Sequence, residues 1–399
     1  MTDITVEPAS RVRRLPESYV FGKVAKAKAA AKQAGLEIID FGIGDPDRGT
    51  PDQIVDSMAQ LAQHKANHRY PDTEGSLVYR KAWADLYARD WGVTLDPETQ
   101  VHHLIGGKEG ICHFPLAFVN RGDPVICPDP AYPVYDEGTI LADGEPHYMP
   151  LLAENGFLID LDAIPEGIAK RSRIIWVNSP GNPTGAVAPL AYFEDLVKWA
   201  KIYDVIVCSD ATYSHINGGA GPTPSFLQAE GAMEVGVEFH SVSKSFSATG
   251  FRTAVMVGNA DIIKPLHRVK STIDSGGSLF IQLAFAAHLL GSDDDVRAMN
   301  ADLTQKRRLT QAMLSELGFN LADSDASFYV WAKNPPGFED SEAFSYDLIE
   351  QEGVVSVPGK GLGRMTGEGY SRWSVAAIST DDIELAYPRI ARYLEQNSK

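Results

Sequence analysis

Lys244 lies in a segment whose residue types suit covalent and phosphate-binding chemistry. The segment runs from Ser241 to Arg252 and places several hydroxyl groups and a guanidinium close to the lysine in sequence. Burial and a nearby cation lower the pKa of a lysine, and a neutral lysine amine can form a Schiff base. Arg252 can bind a phosphate through two N–H groups, and Ser241 and Ser243 can donate hydroxyl hydrogens to it. The segment therefore predicts a nucleophilic amine beside a phosphate site.

A carboxylate, Asp210, follows the apolar run of residues 205–208. A carboxylate in such a place is costly unless it has a cationic partner, and a protonated pyridine nitrogen is a suitable one. Tyr213 follows it on the same side of a predicted turn. Gly107 and Lys108 begin a predicted helix directly after a strand, where free backbone N–H groups and the helix dipole favour an anion. These residues extend the predicted site beyond the lysine segment.

Three further side chains have types that suit the same site. Asn182 offers an amide on the rigid turn Asn-Pro-Thr-Gly, and Tyr132 presents an aromatic ring between two prolines. Arg372, on a late predicted strand, can bind a carboxylate through both terminal nitrogens of its guanidinium group. They complete the set of candidates that follows from residue type and position.

The elements that must position these residues alternate between strand-like and helix-like stretches. Strands are predicted at residues 101–105, 124–127, 173–177, 205–208, 238–241 and 253–257, and helices at 24–35, 52–64, 77–90 and 192–201. This alternation predicts an α/β protein with a mostly parallel sheet. Ligands bind at the carboxyl ends of the strands in such sheets, and the candidate residues follow those ends.

The last part of the chain has a different pattern. A helical stretch at residues 279–317, broken at Gly291, precedes a mixture of strands and helices. The strands are predicted at 328–332 and 371–377, and the helices at 342–352 and 381–396. We therefore expect an N-terminal arm with part of a small domain at 1–47, a large domain at 48–290 and a small α+β domain at 291–399.

Composition limits the classes of function. The chain has 399 residues, of which 44% are hydrophobic, and a formal net charge of -17. The acidic charge argues against binding to nucleic acid or to an anionic membrane, and no apolar run is long enough to span a bilayer. The N-terminus has no apolar signal region, and the cysteines show no disulfide pattern, so we expect a cytoplasmic protein.

Several common cofactor and metal motifs do not occur in the sequence. Gly42 and Gly44 begin a glycine-rich turn, but Asp47 stands where a dinucleotide fingerprint has its third glycine. The sequence contains neither the phosphate-binding loop of nucleotide triphosphatases nor the Gly-x-Ser-x-Gly turn of hydrolases. Its histidines and cysteines lack the spacing of a metal site, so no metal is expected.

Taken together, the motifs resemble those of the class I and II aminotransferases, the fold-type-I enzymes that use pyridoxal 5'-phosphate (PLP). Among these they are most similar to the LL-diaminopimelate aminotransferases. The resemblance rests on residues 41–47, 68–71, 107–111, 115–120, 128–135, 238–244 and 367–372. It implies a large domain in which a mostly parallel seven-stranded sheet lies between helices, together with a smaller α+β domain.

The resemblance also implies a role for each candidate residue. As catalytic residues, Lys244 would hold PLP as a Schiff base and move a proton, and Asp210 would keep the pyridine nitrogen protonated. Tyr213, the third catalytic residue, would form a hydrogen bond with the phenolic oxygen of the ring. Further cofactor contacts would come from Gly107, Lys108, Tyr132, Asn182, Ser241, Ser243, Arg252 and from Tyr70 reaching across from a second subunit. The substrate would be bound by Gly44, Arg372, Asn182, Lys108 and Tyr19. Because Tyr70 would serve the neighbouring site, the resemblance implies a homodimer with shared active sites.

On the substrate side the sequence departs from the family pattern. Gly181 replaces an asparagine in the family's turn, and residues 245–251 lack the family's Asn, Met and Trp. Thr272 replaces an asparagine of the pocket that a partner subunit completes. The segment 276–278 is small for one that lines a cleft, so we expect room for a bulkier or differently shaped substrate.

Three functions are compatible with these residues. The first is transfer of an amino group from an L-amino acid with a polar distal group, similar to LL-diaminopimelate, aspartate or glutamate, to a 2-oxo acid such as 2-oxoglutarate. The second uses the same cofactor for γ-elimination, γ-substitution, cyclisation or oxidation of an amino acid such as S-adenosylmethionine. The third is a PLP-bearing sensor domain of a transcription regulator, which the acidic charge opposes.

Overall fold

The structure is a computed structural model that describes residues 6–16, 20–218, 221–291 and 294–398. In chain order its strands are β1 (Ile39–Asp40), β2 (Val101–Leu104), β3 (Pro124–Asp129), β4 (Glu145–Pro150), β5 (Ile174–Asn178), β6 (Ile206–Asp210), β7 (Gly236–Ser241), β8 (Ala254–Gly258), β9 (Asn320–Leu321), β10 (Tyr329–Lys333), β11 (Val354–Val355), β12 (Val357–Pro358) and β13 (Tyr370–Ser374).

The helices alternate with these strands over much of the chain. They are α1 (Ser10–Arg14), α2 (Val20–Gln33), α3 (Asp52–Ala62), α4 (Leu77–Trp91), α5 (Gly107–His113), α6 (Pro115–Phe118), α7 (Val134–Leu141), α8 (Glu166–Ala169), α9 (Leu190–Tyr203), α10 (Ala232–Val235), α11 (Val242–Ser245), α12 (Ala260–Ile273), α13 (Leu279–His288), α14 (Asp294–Glu316), α15 (Ser341–Glu352) and α16 (Thr380–Asn397).

A seven-stranded sheet with the order β2-β8-β7-β6-β5-β3-β4 forms the centre of the larger part of the molecule. The pairs β7–β6, β6–β5, β5–β3 and β3–β4 are parallel, whereas β8 runs antiparallel to both of its neighbours. Strands β3, β7 and β8 are buried along their whole length, as expected for a sheet covered on both faces. The predicted α/β architecture with a mostly parallel sheet is therefore confirmed.

A second sheet, with the order β12-β13-β10-β9, is antiparallel, and the short strands β1 and β11 pair separately in parallel. The hydrophobic core beside this antiparallel sheet contains the aromatic rings of Phe41, Phe344 and Trp373. The backbone N–H of Ser374 donates to the carbonyl of Phe41 at 2.7 Å. The segment after β1 thus lies against β13, which brings the glycine-rich turn that follows β1 close to Arg372.

Membrane insertion has no support from the helices. Within the described ranges, none of them combines the length and the apolar character that a bilayer span requires.

Candidate active site

A cavity of about 560 Å³ opens where β5, β6 and β7 end. It lies at the carboxyl ends of parallel strands, as the sequence predicts. The predicted site residues that line it are Gly44, Gly107, Lys108, Tyr132, Asn182, Asp210, Tyr213, Ser241, Ser243, Lys244, Arg252 and Arg372. The structure therefore brings together residues from both sheets and from the loops that join their strands.

Lys244 lies in α11, the single helical turn that follows β7. Its Nζ donates a hydrogen bond to the carbonyl oxygen of Gly44 at 2.7 Å. Burial, together with the positive charges of Arg372 and Arg252, lowers the pKa of Lys244 to about 8, although the negative charge of Asp45 opposes this shift. A lysine with this pKa has a substantial neutral fraction near neutral pH, as a nucleophile or a base requires.

Asp210 is the last residue of β6 and is buried. Tyr135 Oη donates to its Oδ2 at 2.7 Å, and the backbone N–H of Thr212 donates to its Oδ1 at 3.1 Å. Burial raises the pKa of Asp210, and these hydrogen bonds only partly offset it. Among the described residues no lysine or arginine forms an ion pair with Asp210, so the carboxylate suits a cationic ligand group.

Hydroxyl groups and a guanidinium gather at one end of the cavity. Ser241 Oγ lies 2.9 Å from Ser243 Oγ, and Ser241 also accepts from the backbone N–H of Ser243 at 3.1 Å. Arg252 is held by the carbonyl of Thr249 at 2.7 Å. A Cβ on Gly106 would lie 2.2 Å from Arg252 Nη2, so a glycine is needed there for the arginine to approach the start of α5. This donor set suits a phosphate.

Arg372 lies in β13 and is only 1% exposed. Its Nη1 donates to Asn182 Oδ1 at 3.1 Å, and its Nη2 donates to the carbonyl of Gly42 at 3.0 Å. Its guanidinium carbon lies 4.4 Å from the centre of the Tyr329 ring. The guanidinium is thus fixed in one orientation on the wall of the cavity, where it suits a carboxylate.

Tyr329 is a cavity residue that the sequence analysis did not identify. Its Oη lies 3.3 Å from Tyr213 Oη, and a Cβ on Gly44 would lie 2.4 Å from the Tyr329 Oη. Burial, and next the neighbouring Tyr329, raise the pKa of Tyr213. Tyr135, Asp45 and Thr212 also contribute to the site without having been singled out. Tyr135 could have been found, because it lies in the same proline-rich segment as Tyr132.

Lys108 and Tyr132 both line the cavity, and Lys108 Nζ lies 5.8 Å from the centre of the Tyr132 ring. Tyr70 does not line the cavity of this chain, and its side chain is 93% exposed. Tyr19 lies outside the described residues. The structure thus gathers the predicted cofactor residues other than Tyr70, and the role of each remains a prediction.

The small residues near Thr272 do not line this cavity. A Cβ on Gly277 would lie 2.4 Å from the His103 ring, and one on Gly276 would lie 2.9 Å from the carbonyl of Asp72. These glycines therefore allow close packing against neighbouring segments. The expectation of room for a bulkier or differently shaped substrate concerns the pocket that a second subunit would complete, and it stays a prediction.

Glu109, His113 and Asp274 bring three possible metal-ligand atoms within 4.8 Å of one another. However, Lys270 Nζ lies 2.8 Å from a carboxylate oxygen of Glu109 and 2.8 Å from one of Asp274. The lysine ammonium contacts both carboxylates and offsets one of their two negative charges, so this group is an ion-pair cluster.

Comparison with known proteins gives consistent matches over nearly the whole chain. Residues 37–390 match the family model for aminotransferase class I and II. The LL-diaminopimelate aminotransferase of Moorella thermoacetica is 45% identical over 389 residues, which cover 98% of this chain and 99% of that protein. The LL-diaminopimelate aminotransferase of Halothermothrix orenii is 43% identical over 385 residues, covering 96% of this chain and 98% of the relative.

Solved structures share the same fold. Substrate-bound BacF from Bacillus subtilis is 31% identical, with a TM-score of 0.92 and 98% of each chain covered. A double mutant of Thermus thermophilus aspartate aminotransferase is 26% identical, with a TM-score of 0.90, covering 97% of this chain and 100% of that structure.

Proposed function

Since the chain belongs to the class I and II aminotransferases and uses PLP, we propose that its amino donor is of the LL-diaminopimelate type and its acceptor is 2-oxoglutarate. The predicted family, cofactor and reaction class are confirmed: the protein is a PLP-dependent aminotransferase acting on an amino acid with a polar distal group. The alternative of γ-elimination, cyclisation or oxidation receives no support from the relatives.

The residues in the cavity fit PLP chemically. A buried carboxylate that suits a ring N–H⁺ (Asp210), a group that suits a phosphate (Ser241, Ser243 and Arg252) and a buried lysine (Lys244) line one cavity of about 560 Å³. When bound, PLP supplies a conjugated ring that accepts the electron pair left on a substrate carbon after its proton is removed. The donor set therefore supports the assignment of these residues to the cofactor.

Lys244 Nζ would take up the proton of the substrate Cα. The observation that carries this role is the 2.7 Å contact between Lys244 Nζ and the carbonyl of Gly44. Gly44 lies two residues from Gly42, whose carbonyl accepts from Arg372. An α-carboxylate held by Arg372 would thus keep the adjacent Cα near the lysine amine, and positioning of this kind contributes strongly to rate.

Asp210 would hold a proton on the pyridine nitrogen. Hydrogen bonds from Tyr135 and Thr212 favour its charged form, and a ring N–H⁺ would provide the cation that the buried carboxylate lacks. Asn182 and Tyr213 would bind the oxygen substituent of the ring, and Tyr132 would cover one face of it. Gly107, Lys108, Ser241, Ser243 and Arg252 would hold the phosphate.

We also propose that the protein is a homodimer with shared active sites. Tyr70 is 93% exposed in this chain, so its ring is available to contact a second copy. We propose that Tyr70 reaches the phosphate of a second copy, and that Tyr19 and Lys108 contact the substrate. A cytoplasmic location is supported by the three free cysteines, Cys112, Cys127 and Cys208.

The half-reaction tests this proposal. The PLP-loaded protein is mixed with a single amino acid in the absence of a 2-oxo acid, and the cofactor spectrum and the products are followed. LL-diaminopimelate should convert the cofactor to its amino form and release a 2-oxo acid, and Lys244→Ala should abolish the conversion. Lys264→Ala, at an exposed position of α12, serves as the control. Return of unchanged PLP with a product that has lost its distal substituent would contradict the proposal.

A further inference from the structure

Lys28 lines the active-site cavity but is assigned neither to the cofactor nor to the α-carboxylate of the substrate. The cationic residues that line the cavity are Lys28, Lys108, Lys244, Arg252 and Arg372. All of them except Lys28 are assigned to the cofactor or to the substrate. Lys28 lies on α2, far in sequence from the motifs that mark the cofactor site.

A short chain of contacts joins Lys28 to the residue proposed to bind the α-carboxylate. Lys28 Nζ donates to Asp40 Oδ2 at 2.7 Å, and the backbone N–H of Gly42 donates to Asp40 Oδ1 at 2.8 Å. The carbonyl of the same Gly42 accepts from Arg372 Nη2 at 3.0 Å. The ammonium of Lys28 is thus held at a fixed place on the cavity wall relative to the Arg372 guanidinium.

The partial exposure of the pair suits a contact with a ligand. The Lys28 side chain is 38% exposed and that of Asp40 is 14% exposed, and both residues line the cavity. An ammonium group has three N–H donors, and Asp40 takes one of them. The other hydrogens can be donated to a carboxylate that enters the cavity.

We propose that Lys28 is a specificity residue that binds the carboxylate at the distal end of a dicarboxylic substrate, and that Asp40 is a positioning residue for it. This inference rests on the proposed function, in which Arg372 binds the α-carboxylate. A donor or acceptor with a carboxylate at each end would then engage Arg372 with one end and Lys28 with the other. A substrate without a distal charge would engage Arg372 alone.

Kinetics of Lys28 variants test this inference. The half-reaction is measured with LL-diaminopimelate and L-glutamate, which carry a distal carboxylate, and with L-alanine, which does not. Lys28→Met should lower kcat/KM for the first two by about 10- to 100-fold, mainly through KM, since a charge-assisted hydrogen bond is lost. The value for alanine should change less than about twofold, and Lys28→Arg should restore most of the loss.

Two further variants separate charge from structure. Lys28→Gln keeps a polar N–H donor but removes the positive charge, so it should resemble Lys28→Met in its substrate preference. Lys26→Met, at an exposed position of α2 that does not line the cavity, should behave as the wild type. A merely structural role for the Lys28–Asp40 pair would lower the rates for all three donors equally, and that result would overturn the inference.

The same measurements distinguish this inference from the proposed function. If the wild-type protein converts neither LL-diaminopimelate nor glutamate, the proposed function fails and the assignment of Lys28 fails with it. If the wild type converts them and both Lys28→Met and Lys28→Gln keep the wild-type KM, the role of Lys28 alone is wrong.

Discussion

Arg372 of the small antiparallel sheet donates a hydrogen bond to Asn182, which follows β5 of the large sheet, at 3.1 Å. The two residues are separated by 190 positions in the sequence, and both are buried. The contact ties the guanidinium to the turn that we assign to the cofactor. The orientation of the arginine therefore depends on how the two sheets pack, as well as on its own strand.

Replacement of Arg372 by lysine should impair every substrate alike. Lysine keeps the positive charge but lacks the planar pair of N–H donors that binds a carboxylate at two points. We expect kcat/KM to fall by about 100-fold or more for LL-diaminopimelate, glutamate and alanine, because each carries an α-carboxylate. Steady-state kinetics with the three donors checks this, and a loss confined to the dicarboxylic donors would contradict it.

The pKa of Lys244 gives a prediction for the protein without PLP. Its folded-state value of about 8 lies below that of an ordinary lysine, so the reactive neutral amine is depleted as the pH falls through 8. The rate of PLP attachment should therefore rise up to about pH 8 and level off above it. It should decrease about tenfold for each pH unit below.

A change at Asp45 provides the control for this titration. Its negative charge raises the pKa of Lys244, so Asp45→Asn should move the midpoint of the rate profile to lower pH. Stopped-flow absorbance of the apoprotein mixed with PLP measures both profiles. A midpoint near 10 in the wild type would show that the lysine is not desolvated as the structure indicates.

Much of this site could be predicted from the sequence, because its central residues follow strand ends in short polar motifs. Lys244 and Asp210 combine a charged side chain with an apolar strand, and this combination is unusual enough to draw attention on its own. Tyr329 has no comparable feature in the sequence that would mark it as a site residue. It lies in β10 of the second sheet, and a tyrosine in an ordinary strand does not reveal which cavity it faces.

The sequence analysis also missed some elements of the fold, because their residues do not follow a clear strand or helix pattern. Strand β4 contains two prolines and α12 contains Pro265 within the helix, so both break the patterns on which the predictions rest. Lys28 and Asp40 lie on separate elements, and their contact depends on how α2 packs beside β1. Such pairing is set by tertiary structure, which local sequence patterns do not specify.

Tyr135→Phe should alter the pH dependence of the reaction with little effect on folding. Its hydroxyl donates to Asp210 at 2.7 Å and favours the charged carboxylate. Without this bond the pKa of Asp210 rises, so the acidic limb of the rate profile should move to higher pH. The loss of kcat/KM near neutral pH should be about 3- to 10-fold. Tyr148→Phe, which removes a hydroxyl bonded to Asp136, is the matched control and should leave the profile unchanged.

Lys270→Met should destabilise the protein. Lys270 is fully buried between Glu109 and Asp274, and its removal leaves two carboxylates without their cation. We expect the free energy of unfolding to fall by about 3–5 kcal/mol in urea denaturation. Lys264→Met, at an exposed position of the same helix, should change it by less than about 0.5 kcal/mol.

Acid titration and chelation extend the test of this cluster. Burial raises the pKa of Glu109, but hydrogen bonds from His113 and Lys270 outweigh it and lower the pKa to about 2. The folded-state pKa is thus below the unfolded one, so the stability that Glu109 contributes is present above about pH 4.5 and is lost towards pH 2. In Lys270→Met the folded-state pKa of Glu109 should rise towards its unfolded value, so the acid-dependent loss should be smaller and should end at a higher pH. A chelator should leave the wild-type stability unchanged, and a drop on chelation would mean that the cluster binds a metal.

Mixing two inactive variants tests whether Tyr70 acts in the site of a second subunit. Tyr70 is 93% exposed and Lys244 lines the cavity, so the two residues do not share a site within one chain. Tyr70→Ala and Lys244→Ala should each be inactive or nearly so as homodimers. In a heterodimer of the two variants, one site carries both changes and the other site carries neither. Random reassembly makes half of all dimers heterodimers, so an equimolar mixture should recover about a quarter of the wild-type activity, by the statistics of shared sites.

The recovered activity depends on which chain supplies the tyrosine. If Tyr70 served its own subunit, every site in the heterodimer would carry one of the two changes, and mixing would restore nothing. Val78→Ala, at another exposed apolar position, provides the control for nonspecific surface effects and should be active as a homodimer. Denaturing each variant separately shows whether its fold is intact, since a side chain as exposed as Tyr70 makes few contacts within its own chain. Recovery near a quarter would therefore establish the shared site, because neither variant can complete a site in its own subunit.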